Sequence, residues 1–121
     1  HTFTANPIAC SAAIASLKLF SQDRTLKKIN RIETLHKKWL NALSNTTKIS
    51  KIRTLGSIAA FDINNNDLEY GSEKVEKLKK RFLEKGLLLR PIGKTVYLMP
   101  PYCIDEDLLE DCYKKIEEVL E

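Results

Sequence analysis

Hydrophobic positions change period along this chain, and each change marks an element. From Ile8 to Phe20 apolar residues fall on nearly every face of a helix, interrupted by Lys18. Asn6 suits the cap of that helix, because its side-chain oxygen can accept an otherwise unpaired N–H. Pro7 suits the first helical position, where a missing N–H costs nothing. A helix apolar on most sides is usually buried by several neighbours, so its partner surface is expected to have been lost with another part of the protein. A second helix is predicted from about Gln22 to Ser44, where Leu26, Ile29, Ile32, Leu35, Trp39 and Leu43 recur three and four apart. Ser44-Asn45-Thr46-Thr47 ends it.

From Ile49 to Ile63 the pattern shifts toward one strand, with Gly56 marking a bulge or a close approach. Asn64-Asn65-Asn66-Asp67 is a loop by composition. Ser72 can cap a third helix with Val75, Leu78 and Phe82 as its stripe, and Gly86 fits a left-handed stop. Leu87-Leu88-Leu89 and Thr95-Val96-Tyr97-Leu98-Met99 read as a β-hairpin about a turn at Ile92-Gly93-Lys94. A last helix begins near Asp105, with Glu106 and Asp107 well placed against its dipole. The predicted order, α-α-β-α-β-β-α, is an α+β layout: a small, mainly antiparallel sheet of about three strands packed with about four helices.

Bulk properties narrow the function classes. The 121 residues suit one domain, which can bury about two thirds of its unfolded surface without staples. A net charge of +4 demands neither nucleic acid nor membrane, and the basic residues of the second helix lack interleaved aromatics. No stretch approaches the roughly 20 apolar residues of a membrane span. Nothing basic precedes the first apolar run, as a signal peptide would need. Cys10, Cys103 and Cys112 form no CxxC pair; they suit packing roles in a reducing, cytoplasmic setting. His1 and His36 are too few for a zinc motif, so no metal is expected.

Three places carry candidate chemistry. Arg90 ends an apolar run before Pro91, which keeps Arg90 extended. Its guanidinium can fork onto a carboxylate; the plainer alternative is a surface ion pair or snorkelling to water. Alternation puts Thr95, Tyr97 and Met99 on one face of their strand and Val96 and Leu98 on the other. Tyr97 is therefore either a ligand contact or a core residue with one satisfied hydroxyl. Thr2 and Thr4 precede a helix start, as caps or as part of an anion site. The residues alone assemble no nucleophile triad, phosphate loop or carboxylate pair.

Two stretches add a resemblance that covers essentially the whole chain. HTFTANPIACSAAIASL resembles the segment of fold-type I, class III PLP-dependent aminotransferases that joins the large cofactor domain to the small domain. LLLRPIGKTVYLMPPYCI resembles the small-domain hairpin of family members that work in biotin synthesis. One departure is Ala5, where the class commonly has Gly. The resemblance implies that residues 1–21 are the interdomain link and first helix and that residues 22–121 are the C-terminal small domain. It places the large domain, with the lysine that forms the Schiff base, upstream, so no catalytic residue is assigned here. It implies that Arg90 binds a substrate carboxylate and that Tyr97 lies near the substrate. Thr2 would contact the PLP phosphate of the neighbouring subunit, with Phe3 and Asn6 shaping the backbone there. The implied activity is amino transfer from S-adenosylmethionine to 8-amino-7-oxononanoate, with PLP as cofactor, in a cytoplasmic homodimer with small-molecule substrates, no nucleic acid and no membrane. The fragment alone would be inactive. Two alternatives stay open: another class III aminotransferase of ω-amino-acid or ornithine type, and a free-standing α+β interaction module.

Overall fold

Four helices and one three-stranded sheet make up the computed structural model, which describes residues 4–45 and 48–121. The elements are α1 (Pro7–Gln22), α2 (Thr25–Ser44), β1 (Ile49–Leu55), β2 (Ile58–Ile63), α3 (Glu73–Glu84), β3 (Thr95–Leu98) and α4 (Glu106–Leu120). The sheet is antiparallel throughout, in the order β1-β2-β3. The α+β layout, strand number and helix number match the sequence expectation, but the order of elements does not.

Two corrections explain the difference. The stretch from Ile49 to Ile63 is two strands joined by a tight turn at Gly56-Ser57, with Leu55 paired to Ile58. Gly56 sits at φ +56°, and a side chain there would come within 2.9 Å of Ile29 Cγ2. Gly56 is therefore the turn and the close approach, while the bulge lies in β1 between Ser50 and Arg53, where Lys51 takes φ +48°. Conversely, Leu87-Leu88-Leu89 is not a strand. The expected hairpin closes on a single bridge between Ile92 and Thr95, with backbone bonds of 2.9 and 3.1 Å. Pro91 then holds φ near −65°, away from strand values, and the ladder stops. β3 instead pairs with β2, from Ala59↔Leu98 to Asp62↔Thr95.

Local signals at the helix ends behave as their chemistry requires. Asn6 Oδ1 accepts from the amides of Ile8 (2.9 Å) and Ala9 (3.4 Å) at the start of α1. Ser72 Oγ accepts from Val75 N–H at 3.4 Å to cap α3. At the other end of α3, Gly86 takes φ +79°. Gly86 N–H reaches the Leu83 carbonyl (2.8 Å) and Leu87 N–H the Phe82 carbonyl (2.9 Å), a Schellman closure. α2 begins at Thr25 rather than near Gln22, because α1 runs on to Gln22 and Arg24 breaks the helix at φ +53°.

α2, α3 and α4 cover one face of the sheet. Ala59 and Phe61 of β2 and Val96 and Leu98 of β3 point inward to meet Ile32, Leu40, Val75, Phe82, Leu109 and Ile116. Burial of such side chains contributes about 1.5–3 kcal/mol each. α1 is the exception. It is apolar on most sides yet has no buried residue, and Ile8 and Leu17 are 82% and 72% exposed.

A buried histidine was not foreseen. His36 of α2 is fully buried, with Nδ1 2.7 Å from the Tyr113 hydroxyl and Nε2 3.1 Å from the Ser57 carbonyl. A carbonyl only accepts, so Nε2 carries the proton, and the Tyr113 hydroxyl donates to Nδ1. Trp39 stacks on Tyr113 at 6.4 Å between ring centres. The trio ties α2, the β1–β2 turn and α4 together. Burial lowers the His36 pKa, opposed by its bond to the Ser57 carbonyl. Burial, helped by Cys112, raises the Tyr113 pKa far above the ordinary phenol range.

Candidate functional site

The single bridge at Ile92–Thr95 returns the chain so that Arg90 and Tyr97 line the same cleft, of about 360 Å³. Its walls are largely apolar, with Leu88, Leu89, Met99, Pro100 and Ile104 among them. Arg90 is exposed, and no acid among the described residues pairs with its guanidinium. The surface-pair alternative for Arg90 is thus absent among the described residues; Arg90 lines this apolar cleft and also a second cavity with Glu76, Lys79 and Lys80. Tyr97 is half-buried, on the sheet face opposite the core. Thr95 shares that face, while Val96 and Leu98 point into the core, as the alternation predicted.

The cysteines divide. Cys112 lines the cleft from α4. Burial, and then the Asp111 charge, raise its pKa, which keeps it a thiol and suits a packing role. Cys103, also expected to pack, is exposed, because residues 99–105 run outside the core.

The described residues show how the amides at the start of α1 are used. Pro7 has no N–H, Asn6 Oδ1 takes the amides of Ile8 and Ala9, and Cys10 N–H bonds the Asn6 carbonyl at 2.9 Å. The first turn of α1 therefore has no spare amide for a phosphate. Thr4 is exposed beside it, while Thr2 and Phe3 lie outside the described residues. Ala5 takes φ +59°, a conformation natural to the Gly that the class commonly has there.

A polar cluster on the same sheet face escaped the sequence reading. Asp62 is 5% exposed and accepts from Thr95 Oγ1 (2.8 Å) and Arg53 Nη2 (3.3 Å), with Lys51 Nζ at 3.8 Å. Burial works to raise the Asp62 pKa, but the bonds from Thr95 and Arg53 and the charges of Arg53 and Lys51 outweigh it and hold the carboxyl below its usual range. A long-range cluster of this kind leaves no periodic signal; its partners lie on three strands.

The same architecture recurs in known enzymes of one class, the aminotransferases. An acetylornithine aminotransferase from Elizabethkingia anophelis superposes with a TM-score of 0.83 at 30% identity, over 99% of this chain and 31% of that one. Plasmodium falciparum ornithine δ-aminotransferase gives 0.79 at 25% identity. A PLP-bound amine transaminase from an uncultivated Pseudomonas species, at 20% identity and 0.83, shares the fold.

The aminotransferase class-III family matches residues 1–120, and this chain belongs to that family. Its family cofactor is pyridoxal phosphate. Among curated relatives, adenosylmethionine-8-amino-7-oxononanoate aminotransferase of Synechococcus elongatus is 36% identical over 121 residues, all of this chain. The Helicobacter pylori protein of that name is 33% identical over 128 residues, also spanning the whole chain. The chain covers 28% of the length of each.

Proposed function

We propose that this chain serves as the small domain of an enzyme that transfers the amino group of S-adenosylmethionine to 8-amino-7-oxononanoate in biotin synthesis. Support comes from the shared name of the relatives above and from the cleft that Arg90 and Tyr97 both line, Arg90 having no acidic partner among the described residues. The placement of Arg90 is the observation that carries the proposal. Both substrates bear a carboxylate, and a fork of N–H donors on an apolar wall binds and orients such a group. Tyr97 bounds the same cleft and can donate to the bound substrate, while the leucines and prolines exclude water. Pyridoxal phosphate supplies the electron sink in such enzymes. In this proposal Thr2 reaches the cofactor phosphate of a neighbouring subunit in a cytoplasmic homodimer, and exposed α1 packs against the rest of the longer enzyme. The 121 residues alone are then inactive.

In the full-length enzyme, Arg90→Ala should raise the KM for 8-amino-7-oxononanoate by about tenfold to a hundredfold, the scale of a lost charged hydrogen-bond partner. Unchanged steady-state constants would remove Arg90 from the site. The likeness to acetylornithine aminotransferase favours one other reading, an ornithine-type donor. Turnover with ornithine and not with S-adenosylmethionine would select it.

A further inference from the structure

We infer that Asp62 is a specificity-determining residue: it occupies two cations that share a sheet face with Tyr97, so that neither competes with Arg90 for a substrate carboxylate. The inference rests on Arg90 being the carboxylate site. Strand register provides the geometry. Arg53 pairs with Ala60, and Ala60 pairs with Tyr97, so the three stand in one row across the sheet. Two strand spacings separate Arg53 from Tyr97, about 10 Å, with only a methyl group between them. Without a partner, Arg53 would be a second guanidinium within reach of a ligand lying along Tyr97. Lys51, two residues before it, would add another charge.

Each cation is instead turned onto one carboxylate. Asp62 stands in the middle strand with its side chain 8% exposed, while those of Arg53 and Lys51 are 50% and 72% exposed. The cations therefore reach inward to a fixed acceptor. Thr95 Oγ1 fixes it from β3. The β1 bulge completes the arrangement: Lys51 takes a left-handed conformation that strains a non-glycine residue, and its carbonyl accepts from Arg53 Nη1. Bulges commonly re-aim side chains beside active sites. Here the re-aimed side chains are the two cations that Asp62 holds.

The test uses the 121-residue chain, with octanoate as a simple long-chain carboxylate and the arginine Nε–Hε signals as reporters by NMR. In the wild type, octanoate should shift the Arg90 signal and leave Arg53 unmoved. Asp62→Asn keeps an acceptor for Thr95 and removes the charge; octanoate should then produce a second saturable shift, at Arg53, and Asp62→Asn combined with Arg53→Gln should abolish it. Should Asp62→Asn not fold, Arg53→Gln alone decides: octanoate affinity at Arg90 should stay within about twofold. An Arg53 response in the wild type, its absence in folded Asp62→Asn, or an affinity loss of tenfold in Arg53→Gln overturns the inference. No response of Arg90 in the wild type, with Arg53 responding in Asp62→Asn, would instead remove Arg90 as the carboxylate site while leaving the masking by Asp62 intact.

Discussion

Replacing Tyr113 by Phe removes one oxygen and keeps the ring that stacks on Trp39. The His36 Nδ1 acceptor, fully buried and 2.7 Å from that oxygen, is then left without its partner. An unsatisfied buried acceptor costs about 1–3 kcal/mol. The same site predicts a pH dependence. His36 is folded as the neutral Nε2–H form, and burial holds its pKa below the unfolded value of 6.5. The unfolded chain thus binds more protons, so stability is complete above pH 6.5 and is lost as pH falls toward the folded pKa. One unit below the unfolded value the loss reaches at most about 1.4 kcal/mol. Asp62 is lowered from 3.8, so its contribution is present above that value and is lost only at lower pH. The window from pH 7.5 to 5.5 therefore isolates the histidine. Urea unfolding followed by the fluorescence of Trp39, the chain's single tryptophan, measures both effects. Tyr113→Phe should lose its increment already at pH 8, and His36→Gln should flatten the slope between pH 7.5 and 5.5. Full stability of Tyr113→Phe at pH 8, or a wild type with no slope in that window, would refute the assigned tautomer and its burial.

Gly56→Ala should destabilise the chain by about 2 kcal/mol or more, since it meets both a left-handed φ and the Ile29 methyl at 2.9 Å; adding Ile29→Ala should relieve the contact but not the φ penalty, as a double-mutant cycle in urea would reveal. Ala5→Gly should relax the strain at φ +59°, stabilising the start of α1 by about 1 kcal/mol. Asn6→Ala should cost α1 a similar amount by removing its cap. Because α1 buries nothing, both changes should appear in amide exchange of residues 8–12, with little movement of the global unfolding midpoint.

Local chemistry was legible in the sequence where one or two residues decide it. Asn6-Pro7, Ser72 and Gly86 each act through backbone groups within a few residues, and each ends or begins a helix as read. The face carried by Thr95 and Tyr97 follows from alternation alone. The β1–β2 turn was missed although Gly56-Ser57 is a two-residue hairpin signal, because the bulge at Lys51 broke the alternation that would have marked β1. The triple leucine looked like a buried strand, yet only Leu87 is buried and Leu88 is 75% exposed. His36 was passed over as a polar residue type, although it lies on the buried line of α2 with Leu40 and with Ile32 and Leu43 of the predicted stripe. Its partners come from 21 and 77 residues away. Of the candidate site, Arg90 and Tyr97 were visible as residue types beside a turn and through the family resemblance. The Asp62 cluster was not, since sequence separation carries no trace of cross-strand register.

The single rung at Ile92–Thr95 has an evolutionary corollary. Residues 88–90 hang between two buried anchors, Leu87 and Pro91, without ladder bonds of their own. Sheet integrity places little demand on what Leu88 and Arg90 are, while Leu89 packs against the core. Mutations at Leu88 and Arg90 can retune which molecules the cleft admits while leaving the melting temperature nearly untouched, so selectivity and robustness in this domain can drift separately.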